Sequence, residues 1–269
     1  MLKDITFGQY FESNSFAHKL DPRTKILSLI AIIIFIFVSD SSVSLSVMAA
    51  FVVAMIFLTK VPLKMYLKNL KAVLPILIFT LIINLFYNAS GDVILDFWKL
   101  TITTGSLYRA IYMATRILLL IISSAALTYT TTPNDLTDAI ENLLSPLKVF
   151  GLKNVVHTLA MMMTNALRFI PTLIEETQKI MNAQKARGAD LENGKLIDRI
   201  KALIPILIPL LISAVRRAYE LAEAMECRCY NGGEGRCRMK QLKYKFDDIV
   251  TFIIVFVVCL SVLLINIVI

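Results

Sequence analysis

The sequence predicts an all-α membrane protein with about five transmembrane helices and a further helical domain on the cytoplasmic side. Three observations carry that prediction. Hydrophobic residues make up 57% of the 269-residue chain and its mean hydropathy is +0.70, more than an ordinary water-soluble domain carries. Five apolar segments recur along it. The loops between them alternate between cation-rich and nearly cation-free, as loops on the two faces of a membrane do.

Taken in order, the polar and aromatic run from Met1 to Asp21 has no basic stretch followed by an apolar core and a small-residue cleavage site. No removable signal is expected there, and the first span should serve as its own insertion signal. The spans are expected at 26–38, 43–58, 72–86, 107–130 and 249–269. The first and third are short for a hydrocarbon core about 30 Å thick, so they must extend into flanking residues or lie against protein. Lys19, Arg23 and Lys25 precede the first span, and Lys60, Lys64, Lys68 and Lys71 separate the second from the third. By contrast, 39–42 holds no cation and 88–104 only Lys99, which places the N-terminus inside and the C-terminus outside. The expected organisation is 1–131 with four spans, 132–246 in the cytoplasm, and 247–269 as the last span.

Within 132–246, Thr132-Pro133-Asn134-Asp135 supplies a polar cap, a proline and an early acid for a helix ending near Ser145-Pro146. A second helix is expected over 154–187, kinked at Pro171 and ended by Gly188 in a left-handed conformation, with a turn over 190–198. A third should run over 199–228, apolar through 203–215 around Pro205 and Pro209, then charged and alanine-rich, and stopped by Asn231-Gly232-Gly233. Ala214, Ala218, Leu221 and Met225 offer a narrow face for a crossing helix. Both long helices begin apolar and end charged, so their like ends are expected to point the same way.

The candidate functional residues stand at the ends of these two helices. Ala186-Arg187-Gly188 and Cys227-Arg228-Cys229 each present a fixed cation between small neighbours, which suits insertion into a groove that supplies carboxylates and carbonyls. The net charge of +8 follows from the inside bias of basic residues and attraction to anionic headgroups, and no interleaving of aromatic and basic residues argues for nucleic acid. Cys227, Cys229 and Cys237 read as reduced thiols. A zinc site is disfavoured, because they form no paired C-x-x-C and only His18 and His157 could add imidazoles. The stretch 188–195 fails as a phosphate loop, since its glycines are separated by five residues and not four and Leu196 stands where a hydroxyl is needed, so neither ATP hydrolysis nor a bound cofactor is expected.

Other residues have two readings each. Arg116, well inside the fourth span, is either structural, bonded to carbonyls or to Asn84, or a contact to another membrane subunit. Met161-Met162-Met163, with Met113 and Met181, fits core filling better than an adaptable partner surface. His157, with no acid three or four residues away, reads as a packing residue. Asn88-Ala89-Ser90 matches a glycosylation pattern that frequently arises by chance.

The chain resembles, over nearly its whole length, the transmembrane T component of energy-coupling factor transporters, a class of ABC-type vitamin and metal importers. The resemblance rests on Leu20-Asp21-Pro22-Arg23-Thr24-Lys25, Pro133-Asn134-Asp135-Leu136, Pro146-Leu147-Lys148, Leu167-Arg168-Phe169-Ile170-Pro171 and the two arginine tips. It implies an L-shaped chain whose two crossing coupling helices dock into two cytoplasmic ATP-binding cassette subunits through Arg187 and Arg228. It also implies a separate membrane subunit, the S subunit, that captures substrate, with ATP held by the partners, in a prokaryotic cell membrane. The departure is Cys229, where the family has glycine or a near variant and where backbone freedom is lost.

Two other classes are weaker. A stand-alone secondary transporter or channel should carry repeat symmetry and intramembrane acids, and the five apolar segments hold no Asp or Glu. An intramembrane enzyme needs a nucleophile-base pair or a histidine-acid metal cluster, neither of which the sequence supplies.

Overall fold

The computed structural model describes residues 10–86, 93–97, 100–145, 153–189, 196–231 and 242–268. Its helices are α1 (Phe16–Lys19), α2 (Pro22–Val38), α3 (Ser42–Thr59), α4 (Leu63–Phe86), α5 (Thr104–Thr130), α6 (Pro133–Leu143), α7 (Lys153–Ala186), α8 (Leu196–Glu226) and α9 (Phe246–Val268). Strands β1 (Val93–Phe97) and β2 (Leu100–Thr103) pair antiparallel in the segment expected to be a plain loop. Val93, Ile94, Thr101, Ile102 and Thr103 are the β-branched signal for that hairpin, and it is the one departure from an all-helical chain among the described residues.

Caps set the helix boundaries. Asp21 accepts the Arg23 amide at 2.9 Å with Pro22 opening α2, and Thr103 and Ser106 form a reciprocal capping box at the start of α5. Thr132 receives the Asp135 amide at 3.2 Å, which starts α6 where its sequence announces it. Helix α4 reaches nine residues further upstream than the apolar run at 72–86, because Lys64, Lys68 and Lys71 can lie along the helix with their ammonium ends displaced toward water.

The chain divides into two compact units, one made of the described residues of Gly8–Ala139 and Gln241–Ile269, the other of those of Ile140–Lys240. The first is a bundle in which α2, α3, α5 and α9 bury Ile32, Ile36, Leu45, Met48, Val52, Leu119 and Val262, while α4 packs on α5. Many outward side chains are large and apolar, including Phe57 and Phe256, and such a surface is suited to lipid. Hydrogen bonds give the helix directions. The start of α2 meets the start of α9 and the end of α5, through Asp21 to Asp248 and Lys25 to Thr130. The end of α2 meets the end of α9, where the Asn266 amide donates to the Val38 carbonyl at 2.7 Å. The end of α5 meets the start of α4 through the Tyr129 hydroxyl and the Met65 carbonyl at 3.1 Å. Helices α2, α4 and α9 therefore run one way and α5 the other.

Among the described residues, five helices are long and apolar enough to cross a membrane: α3, α4, α5, α9 and the stretch Lys201–Glu226 of α8. The set differs from the expected spans at two members. Helix α2 has 17 residues, about 25 Å at 1.5 Å per residue, which is short of a full hydrocarbon core. Helix α8 is admitted by its apolar first half.

The second unit is the pair α7 and α8 with the end of α6. Glu176 of α7 faces Ser213 and Arg217 of α8, while Gln184, two turns further along α7, faces Pro205, two turns earlier in α8. The two helices are thus antiparallel, which corrects the expectation that their like ends point the same way. A short connection after Arg187 forces the chain to turn back on itself, and that constraint outranks the shared order of apolar and charged halves. The face α8 turns inward is Ile206, Leu210, Ser213, Arg217, Leu221 and Met225, with Ala214 beside it. Ala218, expected on that face, is exposed.

Candidate functional site

Each arginine tip is built by its helix end. Arg187 keeps α-helical geometry, its amide reaching the Ala183 carbonyl at 3.2 Å. Gly188 then turns left-handed at φ 88°, its amide donates to Lys185, and the Ala189 amide closes back on the Gln184 carbonyl, both at 3.0 Å. This is the double closure by which a helix satisfies its last carbonyls. The second tip repeats this double closure, although the Arg228 amide bonds the Met225 carbonyl three residues back, at 3.1 Å, and not the one four back. The Cys229 amide donates to Glu226 at 2.8 Å, and the Tyr230 amide closes on Met225 at 3.0 Å. Cys229 is left-handed at φ 54°.

The loss of glycine at position 229 therefore does not change the turn. Cys229 adopts the conformation that Gly188 adopts and bears the cost of a Cβ in that region. At Gly188 nothing stands within 4 Å of where a Cβ would be, so glycine serves backbone conformation there and not a close approach. Ala186, Arg187, Gly188, Cys227, Arg228 and Cys229 are all exposed, and among the described residues neither arginine has an acidic partner. Each tip thus presents a guanidinium with free donors on the outside of a closed helix end.

The structure does not bring the tips together. Eleven residues separate Glu176 from Arg187 and eleven separate Arg217 from Arg228, in opposite directions along the antiparallel pair. At 1.5 Å per residue this puts the arginines at most about 33 Å apart along the pair.

Between the tips lies a polar contact that the sequence did not reveal, because its members are distant in the chain and each looks like an ordinary charged or small helix residue. The Ser213 hydroxyl donates to Glu176 Oε1, and Arg217 Nη2 donates to Glu176 Oε2 at 2.9 Å. The Ser213 hydrogen bond, reinforced by Arg217 and by the nearby Lys179, holds the Glu176 carboxyl below its ordinary range. Glu176 is an ionised acceptor for two donors on the facing helix.

The remaining candidates settle into structural places. Arg116 and the Tyr112 hydroxyl both donate to the Ser39 carbonyl at the end of α2, and Arg116 lies over the Tyr112 ring at 5.0 Å. That is the structural reading of Arg116; Asn84 bonds Thr80 of its own helix instead. His157 gains an acid from α6, since Glu141 Oε1 lies 3.4 Å from Nδ1, a partner that spacing along its own helix does not show. Met162 and Met163 are exposed, which overturns core filling as the account of that run. Cys227 and Cys229 are free and exposed, Cys259 is free and buried, and no metal-binding cluster occurs among the described residues. Cys237, Asn88-Ala89-Ser90, Pro146-Leu147-Lys148 and most of 188–195 lie outside the described residues.

The motif Asp21-Pro22-Arg23-Thr24-Lys25 forms a clasp at one end of the bundle. The Asp248 carboxylate accepts the Asp21 amide at 2.8 Å and the Lys245 amide at 2.7 Å. Arg23 donates to the Leu242 carbonyl at 2.8 Å and lies over the Tyr244 ring. Lys25 Nζ donates to Thr130 at 2.9 Å. His18 bonds Ser15 and the Phe11 carbonyl, and burial lowers its pKa below the ordinary imidazole value, helped by the neighbouring Lys25.

A family model described as cobalt transport protein matches residues 13–239. The chain is 53% identical over 256 residues to the energy-coupling factor transporter transmembrane protein EcfT of Ruminiclostridium cellulolyticum, covering 95% of both chains. It is 48% identical over 265 residues to the protein of that name in Clostridium kluyveri, covering 98% of this chain and 97% of the other. With the Bacillus subtilis protein of that name it shares 40% over 264 residues, 98% of both.

Proposed function

Because this chain belongs to the family of energy-coupling factor transmembrane proteins, we propose that it carries the ATP-driven motion of two cytoplasmic ATPases to a substrate-capture subunit for vitamin or metal-ion uptake. It is the multi-pass T component of such a transporter, one subunit of a larger complex, and not an enzyme by itself. The ATPases dock at Ala186-Arg187-Gly188 and at Cys227-Arg228-Cys229, one at each end of the α7–α8 pair, and the ATP belongs to them. The observation that carries this reading is the identity of the two tips, each an exposed, unpaired arginine on the same closed turn.

The membrane topology that goes with it has α2, α3, α4, α5 and α9 as the five crossings, the N-terminus inside and the C-terminus outside. Helices α2 and α9 are parallel and α5 is antiparallel to both, so the chain must return to one face between the end of α5 and the start of α9. A single crossing by α8 would break that parity, and α7 is not apolar enough to supply a second. The charges on the second half of α8, Arg216, Arg217, Glu220, Glu223 and Glu226, support the same assignment. Residues 132–246 then form the cytoplasmic domain.

The test is co-purification of the tagged chain from membranes that also express the ATPases and capture subunit encoded with it. The native chain should bring down two ATPase subunits and a small membrane protein. Arg187→Glu with Arg228→Glu should keep only the membrane protein, because each reversed tip leaves its partner carboxylates facing an anion. Retention of both ATPases by the doubly reversed chain would overturn docking through the tips.

A further inference from the structure

We infer that Glu176, Ser213 and Arg217 are the positioning cluster that fixes the spacing of the two arginine tips, so that force taken up at one tip crosses from α7 to α8 without sliding. The inference rests on the coupling role proposed above and goes beyond it, since it assigns residues that touch no partner. Three observations carry it.

The first is the composition of the seam. Flanking this cluster, Leu173, Ile180, Leu210 and Leu221 are apolar and half-buried and Ile206 is buried, while the Gln184 amide adds one long hydrogen bond to the Pro205 carbonyl nearer the Arg187 tip. Apolar contact is non-directional, so such a seam resists separation but only weakly resists slip. A carboxylate that receives a hydroxyl on one oxygen and a guanidinium on the other is directional and has one register.

The second is placement. The cluster stands eleven residues from each arginine, about 16 Å along either helix at 1.5 Å per residue. Eleven residues are close to three full turns, so a rotation of either helix at the cluster reaches its tip nearly in phase. Equal arms on an antiparallel pair convert a displacement of one tip into an equal and opposite displacement of the other, provided the contact between them holds.

The third is the small part the cluster can have in stability. Glu176 and Arg217 are partly exposed, with side-chain exposures of 23% and 35%, and ion pairs at such sites contribute little to folding. A polar contact placed where an apolar pair would stabilise as well specifies register instead, as polar residues do in helical seams.

The experiment has two readouts on the full chain. In nanodiscs, spin labels at the exposed positions Ala183 and Ala224, in a background without the native cysteines, report the inter-tip distance. The native cluster should give one narrow distribution. Glu176→Ala or Arg217→Ala should broaden or shift it, and exchange of the charges, Glu176→Arg with Arg217→Glu, should restore part of the width. In proteoliposomes holding the complete complex, substrate transported per ATP hydrolysed should fall about fivefold or more in the single variants, the scale of a typical coupling between sites. ATPase subunits should still co-purify in native amounts. Unchanged distance distributions in both single variants would overturn the inference whatever the complex does. Altered distances with transport per ATP unchanged would overturn its coupling role. Failure of the native chain to bind any ATPase would instead sink the proposed function, while the distance measurement would still decide whether the cluster sets the tips.

Discussion

At the scale of single residues, the second tip shows how far sequence can go and where it stops. Both arginines were legible, because a cation between small residues at the end of a long helix is a pattern in the chain itself. The conformation of Cys229 was not, because cysteine has no preference for left-handed backbone and only the closing bonds of the turn place it there. Only the second tip therefore carries strain, at Cys229. Replacing Cys229 with glycine should stabilise the end of α8 by about 1 kcal/mol, and replacing Gly188 with alanine should destabilise the end of α7 by a similar amount, the usual cost of a Cβ at positive φ. The open space around Gly188 makes the second substitution a clean measure of the backbone effect. Amide exchange at Tyr230 should slow about fivefold in the first variant, and that at Ala189 should speed up about fivefold in the second, the factor that 1 kcal/mol represents. Equal protection of both amides in native and variant chains would show that the turns bear no such strain.

At the scale of elements, periodic apolar runs located the helices, but length misled. Helix α2 reads as too short to span, and α8 as long and apolar enough to do so. The missing information is what happens at the end of α2, where the Val38 and Ser39 carbonyls would face an environment without water. Asn266, Tyr112 and Arg116 supply the donors, from helices distant in the chain. A short helix is tolerated in a membrane when neighbours complete its hydrogen bonding, and the cation at its carboxyl end also matches the helix dipole. Arg116→Met keeps much of the length and removes the donor, leaving Tyr112 to cap the carbonyl alone. It should cost about 1 to 3 kcal/mol, the range for leaving a buried polar group short of a partner. Thermal unfolding in detergent reads this directly, and an unchanged midpoint would mean that water or lipid headgroups already serve that carbonyl. The antiparallel turn of α7 and α8 escaped sequence reasoning for a related reason, since apolar and charged halves describe an environment and not a partner.

At the scale of the whole molecule, the bundle is closed by contacts between the ends of the chain, and the Asp21 to Lys25 motif finds its physical account there. Asp21 and Asp248 are 227 residues apart, yet a buried carboxylate of the last helix receives the amide that starts the first long one. The motif was visible as a motif, and its partners were not, because no local pattern announces a bond across the length of the chain. This clasp contains a titrating group with a defined role. Beside the Lys25 ammonium, the neutral His18 imidazole, which its lowered pKa favours, donates from Nε2 to the Phe11 carbonyl at 2.8 Å and accepts the Ser15 hydroxyl on Nδ1 at 2.6 Å. Protonation would remove that acceptor and set a second cation near Lys25, consistent with a folded pKa lowered, chiefly by burial, below 6.5. A histidine whose folded pKa lies below its unfolded value contributes fully to stability above the unfolded value. That contribution is lost as the pH falls through 6.5 toward the folded pKa, because the unfolded chain then binds the proton first. The native chain should therefore lose thermal stability between pH 7 and pH 5 more steeply than His18→Gln, which keeps a polar side chain and cannot titrate. Unfolding midpoints of the two proteins across that range, in the same detergent and salt, decide the matter. Parallel slopes would remove His18 from the clasp's energetics and leave the Asp248 contacts as its anchor.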